Sequence, residues 1–221
     1  MPTNDKLDPE TRKRIRRDRR EEILQAASVL FGNYGFQNTP LSLIAQSVGL
    51  SEPGVLHYFP SKVHLLQGVL DYQEQLGAVR YARLFGPEEN VLAGFLEALQ
   101  DSLVENQKDP TLARFFTVLV GESIQKEHPG HDILAHRYER IQQLIVTELE
   151  CRHNIEIAAN FNVSQLTSLI LAVFEGLQIQ SLLTPEKADN AATFQLFSQM
   201  FLDYVQKVTR EEKRGKPALE D

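Results

Sequence analysis

Two helix starts fall close together in the first quarter of the sequence, and they limit the fold more than any other feature. Thr39 is expected to cap a helix, with Pro40 at its first position. Gly49 follows the last apolar residue of that helix, where a left-handed cap is usual. Ser51 then caps a second short helix that Pro60 ends. Because helices of about two turns are unstable alone, this segment must pack against neighbouring helices.

Longer helices are predicted on both sides of this segment. Upstream, apolar residues recur at helical spacing from Arg19 until Gly32 and Gly35 interrupt the pattern. Downstream, Ser61 is expected to cap a helix that reaches about Arg83. Breaker residues separate further helical stretches at residues 90–106, 111–126, 133–153, 164–183 and 191–213. No convincing alternating pattern of a strand competes, so we predict an all-α fold of about nine helices.

The two short helices have the pattern of a helix-turn-helix. Such a motif needs a small residue where the helices cross, a glycine-like turn residue and an apolar lock, and Ala45, Gly49 and Val55 fit these positions. Glu52 and His57 then fall on the exposed side of the second helix, which would enter the major groove of DNA. A purely structural helical turn has the same pattern, so the motif does not establish DNA binding alone.

The charge distribution favours the DNA-binding interpretation. The chain has a net charge of −7, but residues 1–62 hold nine Lys and Arg against seven Asp and Glu, and the remainder holds 14 against 23. Seven of the basic residues fall within residues 12–20, and such a cluster is suited to contact phosphates. Alternatively, it is a solvated helix start or a disordered basic tail.

Lys62 stands in the first turn of the predicted fourth helix. A cation there opposes the helix macrodipole and is mildly destabilising, whereas a nearby phosphate would reverse that cost. Alternatively, Lys62 is solvated and costs a few tenths of a kcal/mol.

These residues together resemble the TetR family of regulators. The resemblance lies in residues 22–31 (EILQAASVLF), Gly35, Thr39, residues 44–45 (IA) and 48–51 (VGLS), and residues 57–59 (HYF) with Lys62. A second stretch, residues 173–185 (VFEGLQIQSLLTP), looks like a later helix of family members. The resemblance implies a dimeric, all-helical transcriptional regulator, usually a repressor that a small-molecule effector releases from a palindromic double-stranded operator.

The resemblance also implies the positions that contact DNA. Arg16, Arg17 and Arg20 would act from the basic arm, and the other sites are Ser42, Ser51, Glu52, Pro53, Gly54, His57, Tyr58 and Lys62. Many family members have a tyrosine where this chain has Leu56, so its hydroxyl contact with phosphate is missing here. Tyr58 and the arm are expected to compensate. Glu52 could accept a hydrogen bond from a cytosine amino group, and Gly54 would let the backbone approach closely.

We divide the chain into a basic arm with the start of helix one (residues 1–20), a helix-turn-helix domain (21–62), a larger helical domain (63–214) and a frayed tail (215–221). The last two helices of the larger domain carry apolar residues on more than one face. They therefore suggest a four-helix dimer interface, with Leu169, Val173, Phe197, Phe201 and Tyr204 as candidates. Alternatively, both helices lie in the core of a monomer; the resemblance favours the dimer.

The resemblance implies an effector pocket in the larger domain, for which Phe95, Phe116, Tyr138, Phe174 and Gln178 are candidate wall residues. Ordinary core packing explains each of them as well. His128, His131 and His136 lie near Asp132, but a Pro-Gly pair interrupts the first two and no thiolates join them. We therefore expect no metal site and no cofactor.

The remaining patterns exclude several classes of protein. The sequence lacks a phosphate-binding glycine loop and a supported catalytic triad, and its one cysteine, Cys151, has no designated base. We expect no enzyme. The longest apolar stretches look far short of the ~20 residues of a membrane span, so a cytoplasmic protein is expected. The rival functions are a ligand-independent or activating DNA-binding protein, and a small-molecule-binding enzyme or carrier with a vestigial helix-turn-helix.

Overall fold

The computed structural model describes residues 8–84, 91–153, 163–186 and 189–215. Within these ranges the chain forms nine α-helices and no strand, which confirms the predicted all-α class. In chain order they are α1 (Pro9–Tyr34), α2 (Leu41–Ser47), α3 (Glu52–Tyr58), α4 (Lys62–Leu84), α5 (Val91–Lys108), α6 (Thr111–Ser123), α7 (His131–His153), α8 (Val163–Leu183) and α9 (Asn190–Gly215).

The contacts group the chain into two compact units. Among the described residues, the first unit contains residues 8–76 together with residues 114–134, and the second contains residues 77–84, 91–113, 135–153, 163–186 and 189–215. The helix-turn-helix therefore shares a unit with the first part of α4 and with most of α6. Sequence patterns do not reveal such contacts between distant parts of a chain, and the division at residue 62 stays a prediction.

Helix α1 begins ten residues before Arg19, where its apolar pattern suggests a start. The Asp8 carboxylate caps it by accepting a hydrogen bond from the Thr11 amide at 3.0 Å, and Pro9 stands at the first position. This hydrogen-bonded arrangement also lowers the pKa of Asp8. The Asp8–Pro9 pair is thus a helix start signal, and the described basic residues lie on a helix.

The turn between α1 and α2 corrects the predicted role of Thr39. Pro40 occupies the N-cap position of α2, which has no side-chain cap. The hydroxyl of Thr39 instead donates to the carbonyl oxygens of Gly35 at 2.6 Å and Leu30 at 3.2 Å. Thr39 is fully buried, so its hydroxyl closes the turn against α1 because no water is available to it.

The turn between α2 and α3 has the predicted geometry. Gly49 has a φ of 66°, a left-handed conformation that glycine adopts at low cost. The Leu50 amide donates to the Ala45 carbonyl at 2.8 Å, which satisfies the end of α2. The Ser51 hydroxyl then accepts from the Gly54 amide at 3.3 Å and caps α3.

Apolar side chains from all four early helices form the core of the first unit. Ile23, Ile44, Val55 and Leu65, one from each of α1 to α4, are fully buried. Helix α6 packs closely against α1: a Cβ added to Gly32 would lie only 3.1 Å from the Phe115 backbone. The two short helices are thus stabilised mainly by apolar contacts with distant parts of the chain rather than by their own hydrogen bonds.

The second unit has its own core, formed by α5, α8 and α9. Its buried residues are Leu92, Phe95, Leu96, Leu99, Leu103, Ile170, Leu177, Phe194 and Phe201. Phe194, Phe197 and Phe201 pack in sequence along α9, with neighbouring ring centroids 5.6 and 5.5 Å apart. Both α8 and α9 therefore bury one stripe of side chains in this unit.

Helix α8 corrects the expectation about apolar length. Residues Ser164–Leu183 are long and apolar enough, by length and composition, to cross a membrane, although only 28% of that segment is buried. Counting uninterrupted apolar runs missed this because Ser, Thr and Gln separate short apolar groups. A single helix of this kind is weak evidence for a membrane, since core helices of other proteins have the same composition.

Candidate nucleic-acid interface

Helix α3 presents its polar side chains outward. Glu52, Pro53 and His57 are exposed, whereas Val55 is fully buried. The His57 ring packs edge-on against Tyr58 with centroids 5.6 Å apart, which restrains a side chain predicted to contact bases. The helix is therefore fixed on one face and open on the other, the arrangement that a recognition helix requires.

The neighbouring predicted contacts are also accessible. Ser42 is exposed in the first turn of α2. Ser51 is exposed at the start of α3, where its hydroxyl caps the helix by accepting a hydrogen bond from the Gly54 amide. Gly54 is half-buried, and an added Cβ would lie 3.4 Å from the Ser51 hydroxyl oxygen and 3.5 Å from Leu50. Those are ordinary van der Waals distances, so packing within the chain does not require glycine at this position.

The predicted arm residues lie on α1. Arg16, Arg17 and Arg20 are all exposed. Arg17 is 3.9 Å from Asp18 and 4.0 Å from Glu21, which are loose surface pairs of little energetic weight. The Arg20 guanidinium lies over the Phe59 ring, 4.9 Å from its centroid. This cation–π contact orients Arg20 next to the end of α3.

Arg19 has a structural role that the sequence analysis missed. Its Nη1 atom donates to the Val48 carbonyl at 3.2 Å and to the Glu22 carboxylate at 2.6 Å. It thereby connects α1 to the end of α2, where a backbone carbonyl lacks a helical partner. No local pattern distinguishes Arg19 from the other arginines, because its partner lies 29 residues away.

Lys62 lies at the first position of α4 and has partners within the chain. Its Nζ donates to the Gln37 carbonyl at 3.2 Å and lies 4.5 Å from the centroid of the Phe36 ring. Burial lowers the pKa of Lys62, and the nearby Glu122 carboxylate partly opposes this. These contacts offset the unfavourable position in the helix dipole without any phosphate.

Residues of α6 also contact the end of α1 and the turn that follows it, which the sequence patterns do not predict. The Glu122 carboxylate accepts a hydrogen bond from the Phe36 amide at 2.7 Å, and Arg114 donates to the Asn33 side chain at 3.0 Å. Both bonds join residues more than 80 positions apart. Such pairs leave no periodic signal in a single sequence.

Four of the five candidate pocket residues belong to the second unit. Phe95 and Gln178 are buried there, and Phe174 is half-buried with its ring 6.2 Å from Phe194. The Tyr138 hydroxyl donates to Glu175 at 2.6 Å, and burial together with this carboxylate raises the pKa of the phenol. Phe116 instead lies in the first unit, where its ring is 5.2 Å from Phe115.

The candidate dimer residues divide by exposure. Leu169 and Tyr204 are exposed, by 48% and 53% respectively. Phe201 lies in the core of the second unit, and Val173 and Phe197 pack against the same core. The apolar residues that α8 and α9 expose outside this core are Leu169, Ile179, Leu183, Leu196, Met200 and Tyr204; we call them the α8–α9 outer stripe.

The histidines considered for a metal site differ in their burial. His128 is buried, His131 is half-buried, and His136 is exposed beside Glu139 at 3.2 Å. Within the described ranges, no group of three or more His, Cys, Asp and Glu side chains could hold a metal ion. The side chain of Cys151 is not among those that the structure describes.

Part of the first unit is similar to a family of known proteins. Residues 23–69 match the family model described as bacterial regulatory proteins, tetR family. The nucleoid occlusion factor SlmA of Vibrio cholerae is 29% identical over 164 residues, which cover 72% of this chain and 81% of that protein. Relatives from other bacteria with the same name are 28–32% identical.

Solved structures share the fold of this chain. A TetR transcription regulator from Haloarcula marismortui has a TM-score of 0.68 at 19% identity, covering 85% of this chain and 97% of its own. SmeT of Stenotrophomonas maltophilia, solved as a complex with triclosan, has a TM-score of 0.69 at 15% identity, covering 85% and 91%. At these identities the likeness shows the fold alone.

Proposed function

We propose that the chain is a TetR-family DNA-binding regulator, and that it acts as a homodimeric repressor that a small-molecule effector releases from a palindromic operator. The observation that carries this proposal is the exposed polar face of α3, fixed from behind by Val55 and capped by Ser51. The exposed arginines of α1 add positive charge for phosphate contacts. We propose a regulator without catalytic activity, located in the cytoplasm.

The proposed division of labour follows the chemistry of each group. Glu52 and His57 reach base edges in the major groove, and Gly54 lets the α3 backbone come close to the DNA. Ser42, Ser51, Pro53, Tyr58 and Lys62, with Arg16, Arg17 and Arg20, position the protein on the sugar–phosphate backbone. Since Lys62 already has partners in the chain, its role combines packing with a phosphate contact.

The α8–α9 outer stripe supports the proposed dimer. Leu196, Met200 and Tyr204 follow each other at intervals of four residues along α9 and are 58%, 65% and 53% exposed. On α8, a Cβ on Gly176 would meet nothing within 4 Å among the described residues, so a partner helix has room to approach there. Two such helices from each subunit would form a four-helix interface.

Effector binding is proposed for the second unit. The triclosan complex of SmeT is a precedent for a small molecule bound to a protein of this fold. Phe95, Tyr138, Phe174 and Gln178 remain the proposed wall residues, since they combine apolar rings with two polar groups. Bound effector would stabilise one arrangement of the dimer and change the separation of the two α3 helices.

The named relatives favour a second candidate function. Several relatives at 28–32% identity are nucleoid occlusion factors, so this chain could bind DNA without control by an effector and without repressing a gene. A protein of that kind would need sites spread along the chromosome. A repressor would need a few sites next to the genes that it controls.

Selection of DNA by the purified protein tests the proposed function. A random duplex pool is passed over the protein, and the enriched sequences are then located on the chromosome by crosslinking in cells. We expect an inverted repeat with half-sites about one helical turn apart, found at a few promoters. Sites scattered through the chromosome would support the occlusion function, and no enrichment at all would overturn both.

His57→Ala tests direct recognition of bases in the same selection. The variant should lose preference at particular positions of the enriched sequence while it keeps affinity for the remaining positions. Equal weakening at every position would mean that His57 contacts only the backbone. His64→Ala is the control, since His64 is exposed at the start of α4 and bonded to Ser61.

A further inference from the structure

A carboxylate from α6 holds the turn that leads into the helix-turn-helix. Glu122 accepts the hydrogen bond of the Phe36 amide at 2.7 Å. The carboxylate fills the space beside Gly35, where a Cβ would overlap its oxygen. Gly35 has a φ of 81°, so the turn combines a conformation that favours glycine with space for this side chain.

The Phe36 ring connects this turn to α4 and to the segment after α6. Lys62 Nζ lies 4.5 Å from the ring centroid, and the His128 ring packs edge-on at 5.3 Å between centroids. Phe36 itself is 5% exposed. A displacement of residues 122–128 would therefore move Phe36 and change the support of the Lys62 ammonium.

The hydrogen bonds of the buried His128 ring fit its neutral form. Its Nδ1 atom accepts from the Gly130 amide at 3.1 Å and lies 2.9 Å from the Ser123 hydroxyl. Since Nδ1 accepts, the ring proton of the neutral form must be on Nε2. That atom is buried without a hydrogen-bond partner, 3.9 Å from the Glu122 carboxylate.

A second proton on His128 does not fit this arrangement. It would place an N–H on Nδ1, opposite the Gly130 N–H, so that two donors would face each other. Burial lowers the pKa of His128, Glu122 opposes this, and Lys62 adds to it. His131 is the other titratable neighbour from α7, with Nδ1 2.8 Å from the Ser123 carbonyl.

We propose that Glu122 and His128 are positioning residues for DNA binding, which hold the Phe36 turn and Lys62 in place when His128 is neutral and release them when it is protonated. This inference rests on the proposed function, since it assigns a role in DNA binding. It adds two residues outside the helix-turn-helix and a dependence on pH.

The sign of the pH dependence follows from the buried neutral ring. Above the ordinary histidine pKa of about 6.5, docked and released states are both neutral and docking is strongest. Below it, the released state binds a proton and the docked state does not. Docking should therefore weaken by up to about tenfold for each pH unit, until the lowered pKa of the docked state is reached.

The experiment compares wild type with His128→Asn and Glu122→Gln. Asparagine keeps an acceptor oxygen near the Nδ1 position but cannot be protonated, and glutamine keeps an acceptor for Phe36 without the charge. His136→Asn and Glu139→Gln are matched controls, because both residues are exposed on α7. The DNA probe is the duplex that wild type enriches from a random pool at about pH 7.5.

Two quantities are measured between about pH 7.5 and about pH 5.5. One is the hydrogen-exchange protection factor of the Phe36 amide, with the Leu66 amide in the α4 core as reference. The other is the affinity for the probe, taken as the ratio of wild type to His128→Asn. The ratio is used because protonation of any exposed histidine near DNA tightens binding in both proteins.

We expect wild type to lose Phe36 protection and several-fold affinity relative to His128→Asn as the pH falls, and both controls to follow wild type. Glu122→Gln should lower Phe36 protection already at about pH 7.5. Equal pH profiles for wild type and His128→Asn would overturn the proposal. If no duplex is enriched, the DNA-binding role fails with the proposed function, while the Phe36 protection profile still decides whether the pair holds the turn.

Discussion

At the scale of single residues, Gly54 is a position where packing within the protein does not require glycine, whereas the proposed contact with DNA does. An added Cβ would make only ordinary contacts with Ser51 and Leu50, and alanine is favoured over glycine inside a helix by about 0.5–1 kcal/mol. Glycine at this position therefore has no advantage for packing of the chain. Close approach of DNA to the α3 backbone supplies a reason for it.

We expect Gly54→Ala to raise the free energy of unfolding by about 0.5–1 kcal/mol and to weaken binding of the enriched duplex. Gly121→Ala is the control, because Gly121 lies on α6 and a Cβ there would meet nothing within 4 Å in the described part of the chain. It should be stabilised similarly and bind DNA as wild type does. Unchanged affinity in Gly54→Ala would contradict a close approach at this residue.

Lys62 gives a second prediction, on the nature of its contact. If its ammonium neutralises a phosphate, Lys62→Ala should reduce the slope of log affinity against log salt by about 0.9. If it only supports Phe36 and Gln37, the thermal midpoint should fall while the salt slope stays unchanged. We expect both effects, since Lys62 is half-buried and near the start of α4. An unchanged slope would remove Lys62 from the DNA contacts.

At the scale of elements, helix starts and ends follow from local chemistry. Ser51 at the start of α3 and Gly49 after α2 are where the sequence places them, because caps and left-handed turns depend on adjacent residues. Thr39 is different: its hydroxyl could have capped α2, but it is buried against α1 and donates to the Gly35 and Leu30 carbonyls instead. The start of α1 was missed because its exposed first turns carry no apolar periodicity.

The interface was predictable only in part, for a related reason. Exposed positions of α3 follow from helical spacing once Val55 is assigned to the core. The roles of Arg19, Glu122 and His128 depend on partners that are distant in sequence or on burial by other elements. Candidate interface residues in α8 and α9 were assigned from apolar character alone, which does not separate a core stripe from an exposed one.

The turn between α1 and α2 provides a prediction at this scale. Gly35→Ala places a Cβ in a backbone conformation that costs of order 1–3 kcal/mol, and it displaces the Glu122 carboxylate from the Phe36 amide. We expect the free energy of unfolding measured with denaturant to fall by at least that amount. Gly121→Ala is again the matched control, and equal stability of the two variants would contradict this account of the turn.

At the scale of the whole molecule, the proposed dimer would determine whether two copies of α3 can bind DNA together. Met200→Glu places a charge in the middle of the α8–α9 outer stripe, where it would be buried by a partner. Burying an unpaired charge costs several kcal/mol, so the dimer dissociation constant should rise by about 100-fold or more. Sedimentation at a series of concentrations measures it.

Ile124→Glu is the control for this substitution. Ile124 is 74% exposed in the first unit, outside α8 and α9. The substitution therefore adds the same charge as Met200→Glu without altering the proposed interface. This variant should keep the wild-type dissociation constant. A dimer that survives Met200→Glu would place the interface on another surface of the chain.

The most direct test of the central claim is the affinity of wild type for its enriched duplex as a function of salt concentration. The exposed arginines on α1 and the open face of α3 predict specific binding whose logarithm falls linearly with log salt, with a slope of about −0.9 for each phosphate contacted. A scrambled duplex should bind at least about 1000-fold more weakly at physiological salt. Weak binding that ignores both salt and sequence would contradict a DNA-binding regulator.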